Sequence, residues 1–99
     1  MNGAGCNRLV IAGQLIELDA MRYTPAGIAR IEMKIRHAST QMEAGAERQV
    51  QCEIVALALG KAAEQAARLQ AGQQVKAEGF VAQRSLRNTQ LIMHIEHIE

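Results

Sequence analysis

Tryptophan is missing from this chain of 99 residues, and its aromatic residues are one tyrosine, Tyr23, and one phenylalanine, Phe80. A surface that binds by stacking flat rings on flat rings has little to work with here. Cysteine is scarce too. Cys6 and Cys52 are too few for a disulfide framework. Cys52 lies inside an apolar pattern and is expected to be a small core residue. No apolar run approaches the ~20 residues that a membrane span needs. The opening Met1-Asn2-Gly3-Ala4-Gly5-Cys6-Asn7 lacks the charged start and apolar stretch of a signal peptide. The expectation is a cytoplasmic protein with no membrane partner. Net charge is only +1, which excludes a chain-wide basic signature for nucleic acid. Any such reading must rest on where individual charges fall.

Chemistry-bearing motifs are also lacking. There is no Gly-rich phosphate loop, nucleophile elbow or inward pair of carboxylates; Glu17, Asp19, Glu32 and Glu53 are scattered. His94 and His97 stand three apart, so on a strand they face opposite ways. Zinc needs ligands that converge. The expectation is no metal, no cofactor and no enzyme.

What is present is a turn followed by a clean alternation, from Arg22 to Arg36. Thr24-Pro25-Ala26-Gly27 reads as a type I turn, with proline fixing φ at its second position. After it, Ile31, Met33 and Ile35 face one way and Arg30, Glu32, Lys34 and Arg36 the other. A period of two is a half-buried strand. One face must be covered by the rest of the chain. The other presents three cations and one anion to water.

Apolar residues make up 48% of the chain, and a chain this size buries about 60–70% of the surface its unfolded form exposes. One domain over residues 7–99 is expected, after a disordered start at 1–6. The first strand runs over Arg8–Leu18, with Gly13 marking a bend. The second covers Ile28–Ala38. Ser39–Glu47 has no consistent period and reads as a long, exposed, flexible loop. Arg48–Leu59 is the third strand, entering the core in its second half. Then the period changes. Lys61–Ala71 reads as a short helix with Glu64 and Arg68 paired four apart, ended by Gly72. Gln74–Arg84 is the fourth strand, with Gly79 a second bend, and Leu91–Ile98 the fifth.

Three strands, a helix and two strands, with two bending glycines, describe an all-β fold. It is a closed five-stranded barrel of the OB type, with one short helix between the third and fourth strands. Such barrels hold oligonucleotides on the outer face of their second and third strands, flanked by the first and last hairpin loops. That places Arg30, Lys34 and Arg36 as phosphate contacts. Arg22 and Tyr23 open the first hairpin, where the ring either stacks on a base or packs on the rim. Arg48 stands at the base of the long loop; Arg84 and Arg87 belong to the last hairpin. Arg8, Lys61, Arg68 and Lys76 read as ordinary surface charge, and Phe80 as core packing. The first strand is the candidate edge for dimerisation, because unpaired strand edges need cover.

Two stretches, Asn7-Arg8-Leu9-Val10-Ile11-Ala12-Gly13 and Arg22-Tyr23-Thr24-Pro25-Ala26-Gly27, resemble the opening of bacterial single-stranded-DNA-binding proteins. Gly60-Lys61-Ala62-Ala63-Glu64 and Leu69 to Gly79 resemble their helix and fourth strand. Within that superfamily, Glu43-Ala44-Gly45, Arg48-Gln49, Cys52 and the ending Met93-His94, Glu96 and Ile98 are similar to the primosomal replication protein N (PriB) family. No glycine-rich tail or acidic tip follows the last strand. The likeness implies a homodimer that binds single-stranded DNA and assists the PriA helicase and the loader factor DnaT at stalled forks. It also marks a departure. Members often carry a tryptophan on the third strand that stacks on DNA, and the matching position is Gln51. A lost platform costs roughly 1–3 kcal/mol per base, so the expected binding is weak and mostly electrostatic. Two readings stand beside this one. One is a protein-interaction module with vestigial DNA binding; the other is a general single-stranded-DNA-binding protein.

Overall fold

Two side chains that cannot be larger than hydrogen bend the sheet. A Cβ at Gly13 would be driven into the backbone carbonyl of Arg36, and one at Gly79 into that of His94. At these points one strand crosses another's backbone too closely for any side chain. The computed structural model describes residues 5–99; the expected disorder at 1–6 falls, for residues 1–4, outside the described residues. Its elements are Leu9–Leu18 (β1), Arg22–Tyr23 (β2), Ala29–Glu43 (β3), Ala46–Leu59 (β4), Lys61–Ala66 (α1), Gln74–Gln83 (β5) and Leu91–Ile98 (β6).

The sheet order is β1-β5-β6-β4-β3-β2, and a β1–β3 pairing closes it. β1 serves two neighbours. Leu9–Gln14 pairs with β5, and Gln14–Leu18 with β3. The corner falls at Gln14, immediately after Gly13. Register shifts between Leu15 and Glu17, and again between Glu78 and Gly79, add the local twist that closure requires. β4 and β6 run parallel; every other pairing is antiparallel. This is the expected OB barrel, with five long strands and the two-residue β2 added.

Inside, Leu15, Ile31, Met33, Ile35, Ala56, Ala58, Val75, Ala77, Met93 and Ile95 form one core. One barrel end is sealed by α1, whose Ala62, Ala63 and Ala66 are buried in that core. Alanine lets the helix backbone approach closely. The helix is shorter than the expected Lys61–Ala71. Its last turns tighten into three-residue steps, from Arg68 N–H to the Gln65 carbonyl (3.2 Å) and from Leu69 N–H to that of Ala66 (3.0 Å). Arg68 therefore lies past its end, and among the described residues it forms no ion pair with Glu64.

The turn before β3 forms as read. Gly27 N–H donates to the Thr24 carbonyl at 2.8 Å. The long loop expected at Ser39–Glu47 does not exist. β3 and β4 pair without interruption from Arg30↔Leu59 to Glu43↔Ala46. The reversal needs only Ala44 and Gly45, at φ 52° and 81°. Positive φ at both positions is the turn whose twist matches a hairpin. The outer part of this hairpin extends past the barrel as an arm. Both its faces are wet, so it carries no alternation. For the same reason Cys52, expected in the core, is exposed. It lies opposite His37 on the face that continues the barrel interior, but beyond the barrel's end.

Candidate nucleic-acid interface

Burying Ile31, Met33 and Ile35 forces Arg30, Glu32, Lys34 and Arg36 outward. Register supplies their neighbours. On β4, Leu59, Leu57, Val55, Glu53 and Gln51 stand opposite Arg30, Glu32, Lys34, Arg36 and Ala38. On β2, Arg22 stands opposite Arg30. The outer face thus carries a cationic stripe along β3, begun by Arg22.

The stripe is held by carboxylates. Glu32 accepts from Arg30 at 3.5 Å and from both terminal nitrogens of Arg84, at 3.1 and 3.5 Å. Lys34 pairs with Glu17 of β1 at 3.2 Å. Arg36 donates twice to one oxygen of Glu53, at 3.2 and 3.0 Å. Arg84 comes from the β5–β6 loop. Since β6 and β4 separate β5 from β3, its guanidinium lies over the outer face of both. Gln90 positions it, accepting from Arg84 Nε at 3.2 Å. The loop itself is pinned by Asn88 N–H donating to Ser85 Oγ at 3.1 Å. Among the described residues Arg22 and Arg87 make no ion pair.

These pairs are partly exposed, so each stabilises by only about 0–1 kcal/mol. Chemically, ion pairs of this kind exchange readily. A polyanion can take each cation from its carboxylate at small cost, while the carboxylates hold the field low until it arrives.

Further round the barrel the outer face turns apolar and aromatic. Leu57 of β4 neighbours His94 of β6, and His94 neighbours Phe80 of β5. The two rings stack, 5.0 Å apart at 5° between planes. Phe80, expected in the core, is 37% exposed. It shares its side of β5 with Lys76 and Glu78, which pairing with β1 turns to solvent.

Over residues 7–97 the sequence matches the family described as another single-strand binding protein family. It is 42% identical to the replication restart protein PriB of Neisseria meningitidis serogroup C, across 96% of this chain and 95% of that one. The chain belongs to the PriB family of single-strand binding proteins. The PriB structure from Ralstonia solanacearum superposes with a TM-score of 0.84 at 36% identity, covering 94% of this chain and 95% of that one. The single-stranded DNA binding protein of Thermus aquaticus follows at a TM-score of 0.75 and 27% identity, with 94% of this chain matched to 48% of that one. The names these relatives carry describe binding and restart, not catalysis.

Against this PriB-family frame, the sequence-derived site residues divide. Arg22, Arg30, Lys34, Arg36 and Gln51 share the outer face of β2, β3 and β4, and Arg84 is drawn onto it. Arg87 stays on the exposed β5–β6 loop. Two residues are not brought in. Arg48 lies opposite Gln41 on the other face of the arm, paired with Glu43. Tyr23 lies opposite Ala29, not Arg30. It is 69% exposed and borders a depression with Met21, Ile28, Gly60 and Glu64 at the helix end. Missed from sequence were Glu17 and Glu53 as partners, and the Phe80–His94 stack. The alternation of Phe80 with Lys76 and Glu78 was the available signal for the last. No helix is long and apolar enough to cross a membrane. Among the described residues no group of three His, Cys, Asp or Glu side chains is placed to hold a metal ion.

Proposed function

We propose that this protein is a non-enzymatic, cytoplasmic accessory of the replication-restart primosome. It binds single-stranded DNA as a homodimer and bridges it to the PriA helicase, with DnaT as a further partner. The observation that carries the reading is the stripe Arg22, Arg30, Lys34 and Arg36, with Arg84 added from a loop, on the outside of a closed barrel. The names of the family and of its restart relatives point the same way. Arg87 extends the path, and Gln51 stands where an indole would stack. Arg48 and Tyr23 fall outside it. Support for the dimer comes from β1, whose Leu9–Gly13 segment pairs with β5 on one side only, since its pairing with β3 begins at Gln14. Its outward Val10 is exposed.

A second reading, an interaction module whose DNA binding has decayed, is favoured by one feature. Each of Arg30, Lys34, Arg36 and Arg84 already has a carboxylate.

Glu32 separates the two. In a working DNA site it competes with phosphate for Arg30 and Arg84, so Glu32→Gln is expected to tighten binding of a labelled oligonucleotide. Releasing two partly exposed pairs at up to about 0.7 kcal/mol each gives roughly 3- to 10-fold. Fluorescence anisotropy at low salt reads it. Unchanged or weaker binding by the variant, with its fold intact, contradicts phosphate contact at Arg30 and Arg84.

A further inference from the structure

We infer that Phe80, backed by His94, is the base-stacking platform of this protein. The inference rests on the single-strand-binding reading proposed above and names the side chain that takes a nucleobase.

A stripe of cations can hold phosphates, but bases need flat or apolar surface. The chain has no tryptophan and one phenylalanine, and Gln51 offers no ring on β4. The phenyl ring lies on the outer face of the barrel, not in its core. Phe80 is 37% exposed and lies parallel to the His94 imidazole, with centroids 5.0 Å apart. A third ring added to this pair continues a stack already formed, and the second ring limits the freedom of the first. Nothing in the core needs Phe80 in this position.

Register ties the rings to the stripe. Glu32, Leu57, His94 and Phe80 are neighbours in turn across β3, β4, β6 and β5. Adjacent strands lie ≈ 4.8 Å apart, so the row spans about 14 Å along the surface. Arg30 and Arg84 meet at its first member. A strand lying across the barrel therefore meets guanidinium groups first, passes over the buried Leu57, and reaches the rings last. Beside Phe80 the surface dips into an open depression bordered by Cys6, Asn7, Arg8 and Glu96. Its rim is held in place. Asn7 donates to the Val81 carbonyl at 2.7 Å and accepts from Val81 N–H at 2.9 Å, continuing the sheet by a side chain. Arg8, paired with the Glu78 carboxylate at 2.6 Å, puts a guanidinium on the far side of the ring. A base seated against Phe80 would thus have cations along its backbone in both directions.

The test compares wild type with Phe80→Leu, which keeps apolar bulk without a π-face, and Phe80→Trp. Two labelled ligands of equal length are titrated: an intact deoxythymidine oligonucleotide and the same backbone with abasic sites. A stacked base contributes roughly 1–3 kcal/mol. Phe80→Leu is therefore expected to weaken the intact ligand about 5- to 150-fold and leave the abasic ligand and the salt slope unchanged. Phe80→Trp, the only indole in the chain, is expected to retain binding and to lose emission as the intact oligonucleotide saturates it. Equal loss for both ligands, or no loss for either, overturns the platform, as does an indole blind to the intact oligonucleotide. A wild-type protein that binds neither ligand overturns the single-strand reading itself.

Discussion

Reversing two charges, Arg30→Glu together with Lys34→Glu, is expected to lower affinity for single-stranded DNA about 100-fold while leaving the barrel folded. Both side chains leave the outer face of β3, and neither takes part in the core. Their loss costs exposed ion pairs to Glu32 and Glu17, each worth no more than about 1 kcal/mol of stability. On the proposed reading they matter more to the ligand. A charge-assisted hydrogen bond to phosphate contributes about 1.5 kcal/mol, and two give roughly two orders of magnitude. The variant also distinguishes the second reading. A pull-down with the PriA helicase, with and without DNA, is expected to retain protein contact and lose only the DNA-dependent part. Helicase stimulation that persists in full without DNA binding makes the protein an interaction module instead.

Gly79→Val is expected to destabilise the barrel by about 3 kcal/mol or more, read as a fall in the urea midpoint. The conflict is with backbone, not with the end of a flexible side chain. The new Cβ would meet the carbonyl oxygen and carbon of His94 and the Cα of Ile95. Overpacking that a rotamer change cannot relieve costs 1–3 kcal/mol and sometimes more, from a total of only about 5–15 kcal/mol. Gly79 also sits at the register shift that lets β5 turn against β6. An unchanged midpoint contradicts the claim that this close approach sets the barrel's curvature. Gly13→Ala, against the carbonyl of Arg36, is the companion variant.

Much of this architecture was legible because one face of each strand is dry. Ile31, Met33 and Ile35 must be inside, so Arg30, Lys34 and Arg36 must be outside, and the stripe follows from β3 alone. The Thr24–Gly27 turn and the glycines at 13 and 79 were readable for the same local reasons. The arm was not. From Ser39 to Gln51 both faces of the hairpin meet water, so nothing selects an alternating pattern, and a regular ladder looks like a loop. Arg48 was placed with the stripe, and Cys52 in the core, as a consequence. Hydrophobicity misled at Phe80, where its alternation with Lys76 and Glu78 was the better guide. The carboxylates that hold the stripe could not be seen at all. Glu17 reaches Lys34 only through the β1–β3 closure, and Arg84 reaches Glu32 across 52 positions of sequence.

The most direct trial is the salt dependence of oligonucleotide affinity for the wild-type protein. If Arg30, Lys34, Arg36 and Arg84 release their carboxylates and, with Arg22, take phosphates, log K falls linearly with log salt. Each phosphate neutralised adds about −0.7 to the slope, for a total of about −3.5. An affinity indifferent to salt, or no binding at all at low salt, contradicts a phosphate-exchanging stripe on this barrel.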